Sequence, residues 1–153
     1  MKNKSENADF NVSLKIILKN KKGEILCLKM PDTSSAMAGY YDLPGGRIKE
    51  TEILAPFKKL IGREIKEEIG NKARYKLKEI PVAIGRHYYF SKKYQKDQYI
   101  FCVFFEADYL GGEIKISSEY KEYSWLEISK KNLKKYFVRG PLEGMTNYFS
   151  KKL

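Results

Sequence analysis

Three glutamates lie close together in the segment REIKEEIG, residues 63–70: Glu64, Glu67 and Glu68. On a helix, residues three and four positions apart share one face, so these carboxylates would repel one another by about 0.2–0.5 kcal/mol per pair. A divalent cation would remove the repulsion, because Mg²⁺ prefers oxygen ligands and is commonly held by carboxylates together with substrate phosphates. The alternative is a solvated helix face on which Arg63 pairs with Glu67.

The surrounding sequence predicts the helix that would carry these glutamates. Pro56 is typical of a first helical turn, and Gly70 is typical of the residue that ends a helix. Apolar side chains recur between them at helical spacing and predict one buried stripe, formed by Phe57, Leu60, Ile61, Ile65 and Ile69. Before the helix, LPGG at residues 43–46 predicts a glycine turn with unhindered backbone groups. The turn and the carboxylates are therefore close in sequence.

The stretch GGRIKETEILAPFKKLIGREIKEEIG, residues 45–70, resembles the signature of the Nudix hydrolase family, G-x5-E-x7-R-E-U-x-E-E-x-G-U with U aliphatic. The matching positions are Gly46, Glu52, Arg63, Glu64, Ile65, Glu67, Glu68 and Gly70. The chain departs from the signature in two places: ten residues instead of seven separate Glu52 from Arg63, and Asn71 replaces the last aliphatic residue. The extra residues fall around 54–57, where they lengthen a loop without rotating Arg63 relative to the glutamates.

The resemblance covers most of the chain and implies an α+β fold, in which an α/β/α sandwich surrounds a mixed β-sheet. It also implies hydrolysis of a nucleoside diphosphate linked to another moiety, with Mg²⁺ as the cofactor and Mn²⁺ as a possible substitute. Metal ions suit this reaction because they neutralise phosphate charge and lower the pKa of bound water, while a carboxylate takes the proton.

The resemblance assigns roles to individual residues of this chain. Glu64 and Glu68 would be the principal metal ligands, Glu67 a further ligand or the group that activates water, and the Gly46 carbonyl an additional ligand. Glu52 would brace the motif, often through the signature arginine, here Arg63. In many members the general base lies outside the motif, and the candidates in SSEYKEYSW are Glu119, which we prefer, and Glu122.

Outside the motif, the apolar pattern predicts strands on both sides of the helix. Residues 12–18 and 25–30 read as an antiparallel hairpin, and 31–52 as mostly loop with one or two short strands. Strands are also predicted at 73–90, 98–109 and 121–126, and helices at 128–137 and 142–152. The second of these strands contains YIFCVFF, which is apolar on both faces, as a central strand would be. We expect one domain, residues 1–153, with 1–9 as a flexible tail.

Composition limits the class of protein and its partners. The 153 residues are 42% hydrophobic, enough for one core, and 30 Lys and Arg against 19 Asp and Glu give a net charge of +11. This charge attracts polyanions such as nucleotides and RNA, although a lysine-rich composition without function gives the same excess. No apolar run reaches the roughly 18 residues of a membrane span, and the N-terminus does not resemble a signal peptide. We expect a cytoplasmic protein, monomeric or homodimeric, with Cys27 and Cys102 as core thiols.

Several residues outside the carboxylate cluster are candidates for substrate contacts, namely Tyr41, Arg47 and Tyr88. RHYYFSKKYQK, residues 86–96, interleaves basic and aromatic side chains that could stack on bases, or could place Tyr88 or Phe90 in the core, which we favour. His87, the only histidine, is expected to be structural. Asn147 could recognise a purine edge, but a surface or capping role is the preferred interpretation.

Three hypotheses about function follow. The first is a metal-dependent pyrophosphohydrolase acting on an ordinary or oxidised (d)NTP. The second is removal of pyrophosphate from the 5′ end of RNA, or cleavage of dinucleoside polyphosphates, motivated by the positive charge and the basic aromatic segment. The third is a Nudix-fold module that binds nucleotides or RNA without hydrolysis, although the presence of all three metal-site glutamates disfavours it.

Overall fold

The computed structural model describes residues 6–34 and 36–152. Its strands are β1 (Phe10–Lys19), β2 (Ile25–Lys29), β3 (Tyr41–Asp42), β4 (Gly45–Arg47), β5 (Arg74–Leu77), β6 (Ala83–Ser91), β7 (Lys96–Gly111) and β8 (Glu122–Leu126). Its α-helices are α1 (Phe57–Ile69), α2 (Leu133–Tyr136) and α3 (Arg139–Ser150), and one 3₁₀ turn spans Glu50–Glu52. Together these elements form one mixed sheet with helices on both faces, the α/β/α arrangement that the resemblance implies.

The sheet is organised around a central parallel pair of strands. β1 runs parallel to β7 over ten residues, from Phe10 opposite Tyr99 to Lys19 opposite Asp108. The other edge of β7 pairs antiparallel with β6 and β5 in succession, and the other edge of β1 pairs antiparallel with β4 and, at its end, β2. β2 also pairs with β3 and β8. β4 is thereby held against the middle of β1, which fixes the position of the glycine turn.

Two apolar layers fill the spaces between the sheet and the helices. Alternate residues of β1 face opposite sides, so Leu14, Ile16 and Leu18 pack against α1, while Ile17 packs on the α3 side. On α1, the predicted stripe is buried at Leu60, Ile61, Ile65 and Ile69. Its first member is an exception: Phe57 is exposed at the start of the helix and only touches Phe105 edge-on. The stripe thus begins one turn later than the spacing predicts.

Helix α3 covers the free edge of β6. Asn147 Nδ2 donates to the Ile84 carbonyl at 2.8 Å, Glu143 Oε2 accepts from the Arg86 N–H at 2.8 Å, and Arg139 Nη1 donates to the Tyr88 carbonyl at 2.8 Å. Backbone groups that would otherwise be unpaired at a sheet edge are thereby satisfied by side chains. Glycines allow the close approach, because a Cβ on Gly144 would overlap the Phe104 ring. Asn147 is therefore an edge-capping residue.

The structure corrects three predicted elements. The single strand at 73–90 is two strands, because Pro81 has no N–H to donate and residues 79–81 interrupt the pairing, while the N–H groups of Lys78 and Val82 still donate to β7 carbonyls. The helix at 128–137 is only the single turn α2, since Asn132 Oδ1 accepts from the Ser129 N–H and closes a turn instead. The last helix begins at Arg139, not 142, with Pro141 in its first turn, where an N–H is not needed.

Other expectations for the chain are met or fall partly outside the structure. The central position of YIFCVFF in β7 is confirmed, as is the burial of both free cysteines, Cys27 and Cys102. Of the expected tail, residues 1–5 lie outside the described residues, and 6–9 have no regular secondary structure. In the part of the chain that is described, no helix is long and apolar enough to cross a membrane.

Candidate active site

Two of the three glutamates are buried between α1 and the glycine turn. Glu64 and Glu68 are 6% and 7% exposed, one helical turn apart on the side of α1 that faces β4. Glu68 Oε2 accepts from the Gly45 N–H at 2.8 Å, and a Cβ built on Gly46 would lie 2.5 Å from both carboxylate oxygens of Glu64. A side chain at position 46 would displace the Glu64 carboxylate, so the Gly46 backbone and the two carboxylates line one small site.

Burial changes the ionisation of both carboxylates. It raises the pKa of Glu64, and it raises the pKa of Glu68 to about 7. Three groups oppose the shift at Glu68: the charge of Lys15, the Gly45 N–H, and the Tyr120 hydroxyl, which donates to Oε1 at 2.8 Å. Arg63, which contacts Glu64, is shared with Glu52 and Glu67, and Lys15 is paired with Asp42. The two desolvated carboxylates therefore share their cations with other carboxylates, and this is an environment in which a bound cation is favourable.

Glu67 occupies a different position from the other two glutamates. Its side chain is 54% exposed, and its Oε2 lies 3.1 Å from Arg63 Nη1. Arg63 also holds Glu52, with Nε 2.7 Å from Oε1 and Nη2 2.9 Å from Oε2, and it lies 2.9 Å from Glu64 Oε1. The longer loop therefore returns Glu52 to Arg63. Desolvation opposes the ionisation of Glu52, but hydrogen bonds from the Lys49 N–H and Arg63 lower its pKa.

The donor set at this site fits a hard divalent cation. Carboxylate oxygens of Glu64 and Glu68 and the backbone of Gly46 are the oxygen ligands that Mg²⁺ prefers. Among residues 6–34 and 36–152, no three side chains of His, Cys, Asp or Glu are grouped closely enough to hold a metal ion by themselves. Two carboxylates and a backbone group leave room for water and phosphate oxygens, which is how Mg²⁺ is usually bound at phosphate-processing sites.

The two candidate bases outside the motif lie in different places. Glu119 is exposed and immediately precedes Tyr120, whose hydroxyl contacts Glu68, so it lies on the carboxylate side of the fold. Its charge raises the pKa of Tyr120, although burial of that phenol is the larger cause. Glu122 is exposed at the first position of β8, opposite Lys29 of β2. Glu119 is thus adjacent in sequence to a residue that contacts Glu68.

A cavity of about 270 Å³ lies on the other side of β4, between the sheet and the start of α3. Arg47 is the predicted substrate-contact residue that lines this cavity, and its Nη2 donates to the Tyr89 hydroxyl at 2.6 Å. Tyr41 packs edge-on against Tyr136, 5.9 Å between ring centres, and is not among the lining residues. Tyr88 is 61% exposed and alternates with Tyr89 along β6, so it faces away from the cavity.

The preference for Tyr88 or Phe90 in the core was wrong, because both are more than half exposed, on the opposite face of β6 from Tyr89. Two further groups at the site were missed. Tyr120 contacts Glu68 although the two residues are 52 positions apart in the sequence, so no local sequence pattern predicts this contact. Lys15 and Asp42 form a buried ion pair, Nζ to Oδ2 2.7 Å, beside the glycine turn. A lysine within the apolar run VSLKIIL was the available signal.

The chain is similar to known proteins in both sequence and fold. The model of the NUDIX domain family matches residues 9–141. A MutT protein from Methanosarcina mazei Go1 is 26% identical, with TM-score 0.63, covering 95% of this chain and 94% of that one. An ADP-ribose pyrophosphatase from Streptococcus suis 89-1591 is 18% identical, with TM-score 0.57 and coverage of 92% and 87%.

A further similar structure is an Ap4A hydrolase binary complex from C. elegans, 17% identical, with TM-score 0.58, covering 92% of this chain and 93% of that one. A search of curated proteins gave no match. At these identities the last two structures support the fold, whereas the domain model spans most of the sequence and includes the whole glutamate motif. The chain belongs to the Nudix family, and as a Nudix hydrolase it acts on phosphoric anhydride bonds.

Proposed function

We propose that this protein is a Mg²⁺-dependent pyrophosphohydrolase that cleaves the diphosphate linkage of a nucleoside diphosphate derivative. The observation that carries the proposal is the pair of buried carboxylates, Glu64 and Glu68, which face the Gly46 backbone and share the nearby cations Arg63 and Lys15 with other carboxylates. A diphosphate carries several negative charges and needs a cation to approach two carboxylates. The arrangement is therefore useful for a phosphate-bearing substrate that arrives together with a metal ion.

Each residue of the site has a role in this proposal. Glu64, Glu68 and the Gly46 carbonyl would hold the metal ion, which when bound neutralises phosphate charge and acidifies water. Arg63 ties Glu52 to the helix and keeps Glu64 oriented, so we assign Arg63 and Glu52 to positioning. Glu67 is exposed and pairs with Arg63, and from this position it would contact a water or a further ion, while Glu119 is our preferred general base. Mn²⁺ could replace Mg²⁺ because both accept oxygen ligands in octahedral geometry.

For the substrate we propose a small nucleotide, an ordinary or oxidised (d)NTP. The similarity to a MutT protein over 95% of the chain supports this choice, as does the modest size of the cavity beside Arg47. The second candidate is the 5′ end of RNA or a dinucleoside polyphosphate. The net charge of +11 and the exposed aromatic rings of Tyr88 and Phe90 favour it, since such surfaces bind single strands.

The test is hydrolysis in ¹⁸O-labelled water with Mg²⁺, using dNTPs, 8-oxo-dGTP, ADP-ribose, diadenosine polyphosphates and triphosphorylated RNA. Glu67→Gln and Glu68→Gln should each lower kcat by at least about 100-fold, because a group acting on the proton or the metal is lost. Glu113→Gln is the matched control, since this carboxylate is 62% exposed and, among residues 6–34 and 36–152, its ion-pair partner is Lys72 alone. It should retain full activity.

The label identifies the phosphorus that water attacks and so separates the substrate classes. Release of pyrophosphate and a nucleoside monophosphate from (d)NTPs supports the first candidate. Activity confined to RNA and falling steeply with salt supports the second, because contacts to many phosphates release counterions. Tight nucleotide binding without turnover in Mg²⁺ or Mn²⁺ would overturn the proposal and indicate a binding module.

A further inference from the structure

Helix α1 covers only part of its side of the sheet. The helix has 13 residues and β7 has 16, and a helix advances about 1.5 Å per residue whereas a strand advances about 3.3 Å. The helix is therefore much shorter than the strand. It begins at Phe57, whose ring lies edge-on to Phe105 of β7, 5.7 Å between ring centres. On β7 the residues of this face that precede Phe105 are only half-buried, namely Tyr99, Phe101 and Val103.

Five aromatic side chains lie together on this uncovered part of the sheet: Phe10, Tyr88, Phe90, Tyr99 and Phe101, here called the aromatic face. Phe10 is opposite Tyr99 of β7, and Tyr99 is opposite Tyr88 of β6, so three rings form a row across three strands. The ring centres of Phe10 and Tyr99 are 6.0 Å apart, and those of Tyr88 and Tyr99 are 6.3 Å apart. The ring of Phe101 lies 5.8 Å from that of Phe10. Phe90 is two residues beyond Tyr88 and shares its side of the strand.

The aromatic face is exposed and is separate from the cavity beside β4. Phe10, Tyr88 and Phe90 are 42%, 61% and 56% exposed. The cavity is lined by His87 and Tyr89 of β6, which alternate with these residues and point to the opposite side of the sheet. Single exposed apolar residues are ordinary, but a contiguous exposed group indicates a binding surface. Flat rings exposed on a β-sheet are the means by which several protein modules stack the bases of single strands.

Three lysines border the aromatic face in the turn between β6 and β7: Lys92, Lys93 and Lys96. All three are exposed, and their ammonium groups take part in none of the ion pairs found among residues 6–34 and 36–152. Lys93 lies over the ring of Tyr94, 5.1 Å from its centre. Lysines next to exposed rings are the combination that holds a nucleic-acid backbone while the bases stack.

The charge of this segment favours a polyanion over a second copy of the chain. Residues 86–98 contain four basic side chains and one acidic side chain, Asp97, so their net charge is four minus one, or +3. Arg86 contributes less than a free cation, because it pairs with Glu143 at 3.1 Å. In a two-fold dimer built on the aromatic face, the lysines of both copies would come close together, and the net charge of +11 on each copy would oppose the contact. A single-stranded nucleic acid instead brings the complementary charge.

The aromatic face and the proposed metal site lie on the same side of the sheet. Leu14 of β1 is opposite Gly46 of β4, and its side chain packs on the α1 side, where the Glu64 carboxylate meets Gly46. Phe10 precedes Leu14 by four residues on the same strand, a distance of about 13 Å. A single strand bound on the aromatic face would therefore have one end near the carboxylates.

We propose that the aromatic face binds single-stranded nucleic acid, with bases stacked on its exposed rings and phosphates held by the lysines of the β6–β7 turn. This binding needs neither a metal ion nor hydrolysis. Its use for holding a substrate at the metal site rests on the proposed function, whereas the binding itself does not. Stacking depends little on base identity, so the aromatic face contributes affinity without selecting a sequence.

Fluorescence anisotropy in EDTA, where no metal ion supports hydrolysis, tests the binding. The probes are a mixed-sequence RNA of about 12 nucleotides, DNA of the same sequence and the corresponding duplex, each with a 3′ fluorescein and a 5′ hydroxyl. A single strand should bind saturably and at least about tenfold more tightly than the duplex, because paired bases cannot stack on protein rings. Tighter binding of RNA than of DNA would identify RNA as the ligand, and equal binding would identify bases and phosphates as the shared chemistry. No binding of either single strand, or equally tight binding of the duplex, would overturn the inference.

Removal of single rings provides the second measurement. Tyr88→Ala and Phe90→Ala should each raise Kd for the single strand about fivefold or more, because a stacked base loses its contact. The salt dependence of Kd should stay unchanged, since no charge is removed. Tyr123→Ala is the matched control: this ring is 40% exposed on β8, outside the aromatic face, and its removal should leave Kd unchanged. Aromatic-face variants that bind like the parent would contradict the inference.

Lysine variants test where the phosphates lie. Lys92→Gln/Lys93→Gln should reduce the slope of log Kd against log salt by about 1.4, since each phosphate contact on a single strand contributes about 0.7. Lys130→Gln/Lys131→Gln removes the same charge from exposed positions before α2 and should change the slope little. Equal effects of the two double variants would show that only net charge matters and would overturn the assignment to this face.

Two further outcomes separate the inference from its rivals. If sedimentation shows a dimer that Tyr88→Ala dissociates, and neither single strand binds, the aromatic face is a self-association surface and the inference is wrong. Turnover of free nucleotides without binding of a single strand would remove the inference and leave the proposed function, whereas binding of a single strand without turnover would do the reverse. If circular dichroism shows that Tyr88→Ala does not fold, Phe90→Ala and the lysine variants still decide the question.

Discussion

The buried ion pair between Lys15 and Asp42 allows a quantitative prediction. The two charged atoms are 2.7 Å apart, and the side chains are only 10% and 11% exposed. Burial alone would lower the pKa of Lys15, but the Asp42 carboxylate outweighs it and raises that pKa. Lys15→Met keeps an unbranched side chain and removes the charge, so that, within the part of the chain that is described, the remaining donor to the carboxylate is the Leu43 N–H at 2.7 Å. Breaking a buried pair in this way typically costs about 3–5 kcal/mol.

The cost has an upper limit that depends on pH. The reference pKa of an aspartate in water is about 3.9, and one pH unit corresponds to about 1.36 kcal/mol. Protonating a lone carboxylate therefore costs about 4 kcal/mol at pH 7 and about 1.5 kcal/mol at pH 5. We therefore expect Lys15→Met to lower the free energy of unfolding by about 3–4 kcal/mol at pH 7 and by about half of that or less at pH 5.

The partner variant should respond to pH in the opposite direction. Asp42→Leu leaves a lone ammonium, which becomes harder to neutralise as the pH falls, so its penalty should not shrink at pH 5. The double variant Lys15→Met/Asp42→Leu contains no unpaired charge and should be within about 1 kcal/mol of the unmodified protein. This outcome requires a large favourable coupling between the two substitutions.

Urea unfolding followed by the fluorescence of Trp125, the only tryptophan, measures all four proteins at both pH values with EDTA present. The reasoning is refuted if Lys15→Met costs less than about 1 kcal/mol at pH 7, or if its penalty is unchanged at pH 5. It is also refuted if the double variant is as unstable as the sum of the single ones. Any of these three results would mean that water reaches the ion pair and supplies the missing hydrogen-bond partner.

Three more perturbations have expected outcomes. Gly144→Ala should lower the free energy of unfolding by about 1–3 kcal/mol, measured by thermal unfolding. The overlap of the new Cβ with the Phe104 ring outweighs the gain of about 1 kcal/mol in helix propensity. Tyr120→Phe should cost the metal-free protein about 1.5–3 kcal/mol in urea unfolding, because a hydrogen bond to the Glu68 carboxylate is lost. Burial lowers the pKa of His87 to about 4 in the folded protein, whereas a histidine in the unfolded chain binds its proton below about pH 6.5. Between these values the unfolded state binds more protons than the folded state, so the free energy of unfolding should decline as the pH falls toward 4. After discounting for exposure, we expect roughly 1 kcal/mol between pH 7 and 5, absent in His87→Gln.

Each of these has a result that would contradict it. Gly144→Ala with a raised melting temperature would mean that α3 can move off the sheet. A Tyr120→Phe variant as stable as the parent would mean that water replaces the phenol at Glu68. A His87 ring titrating near its usual value in NMR would show that the imidazole is solvated, and the pH prediction would then fail.

The sequence alone was sufficient for features that depend on local spacing. The glutamates of α1, its apolar stripe from Leu60 onward and its end at Gly70 follow from helical periodicity, which involves neighbours within four residues. The mixed sheet and the family also follow, because turn residues and alternating apolar runs are local signals. The start of the stripe at Phe57 was an error, since whether a terminal residue is covered depends on what packs above it.

Tertiary structure decided which distant groups meet at the site. The Tyr120–Glu68 hydrogen bond, the Lys15–Asp42 pair and the cavity around His87 join residues from separate strands and loops. Their proximity is set by the register of β1 against β7 and β4, and a one-residue slip in a strand would reverse the face of every side chain on it. For the same reason only the structure could show that Tyr89, and not Tyr88, faces the cavity. The motif specifies the chemistry locally, while long-range strand pairing determines what surrounds it.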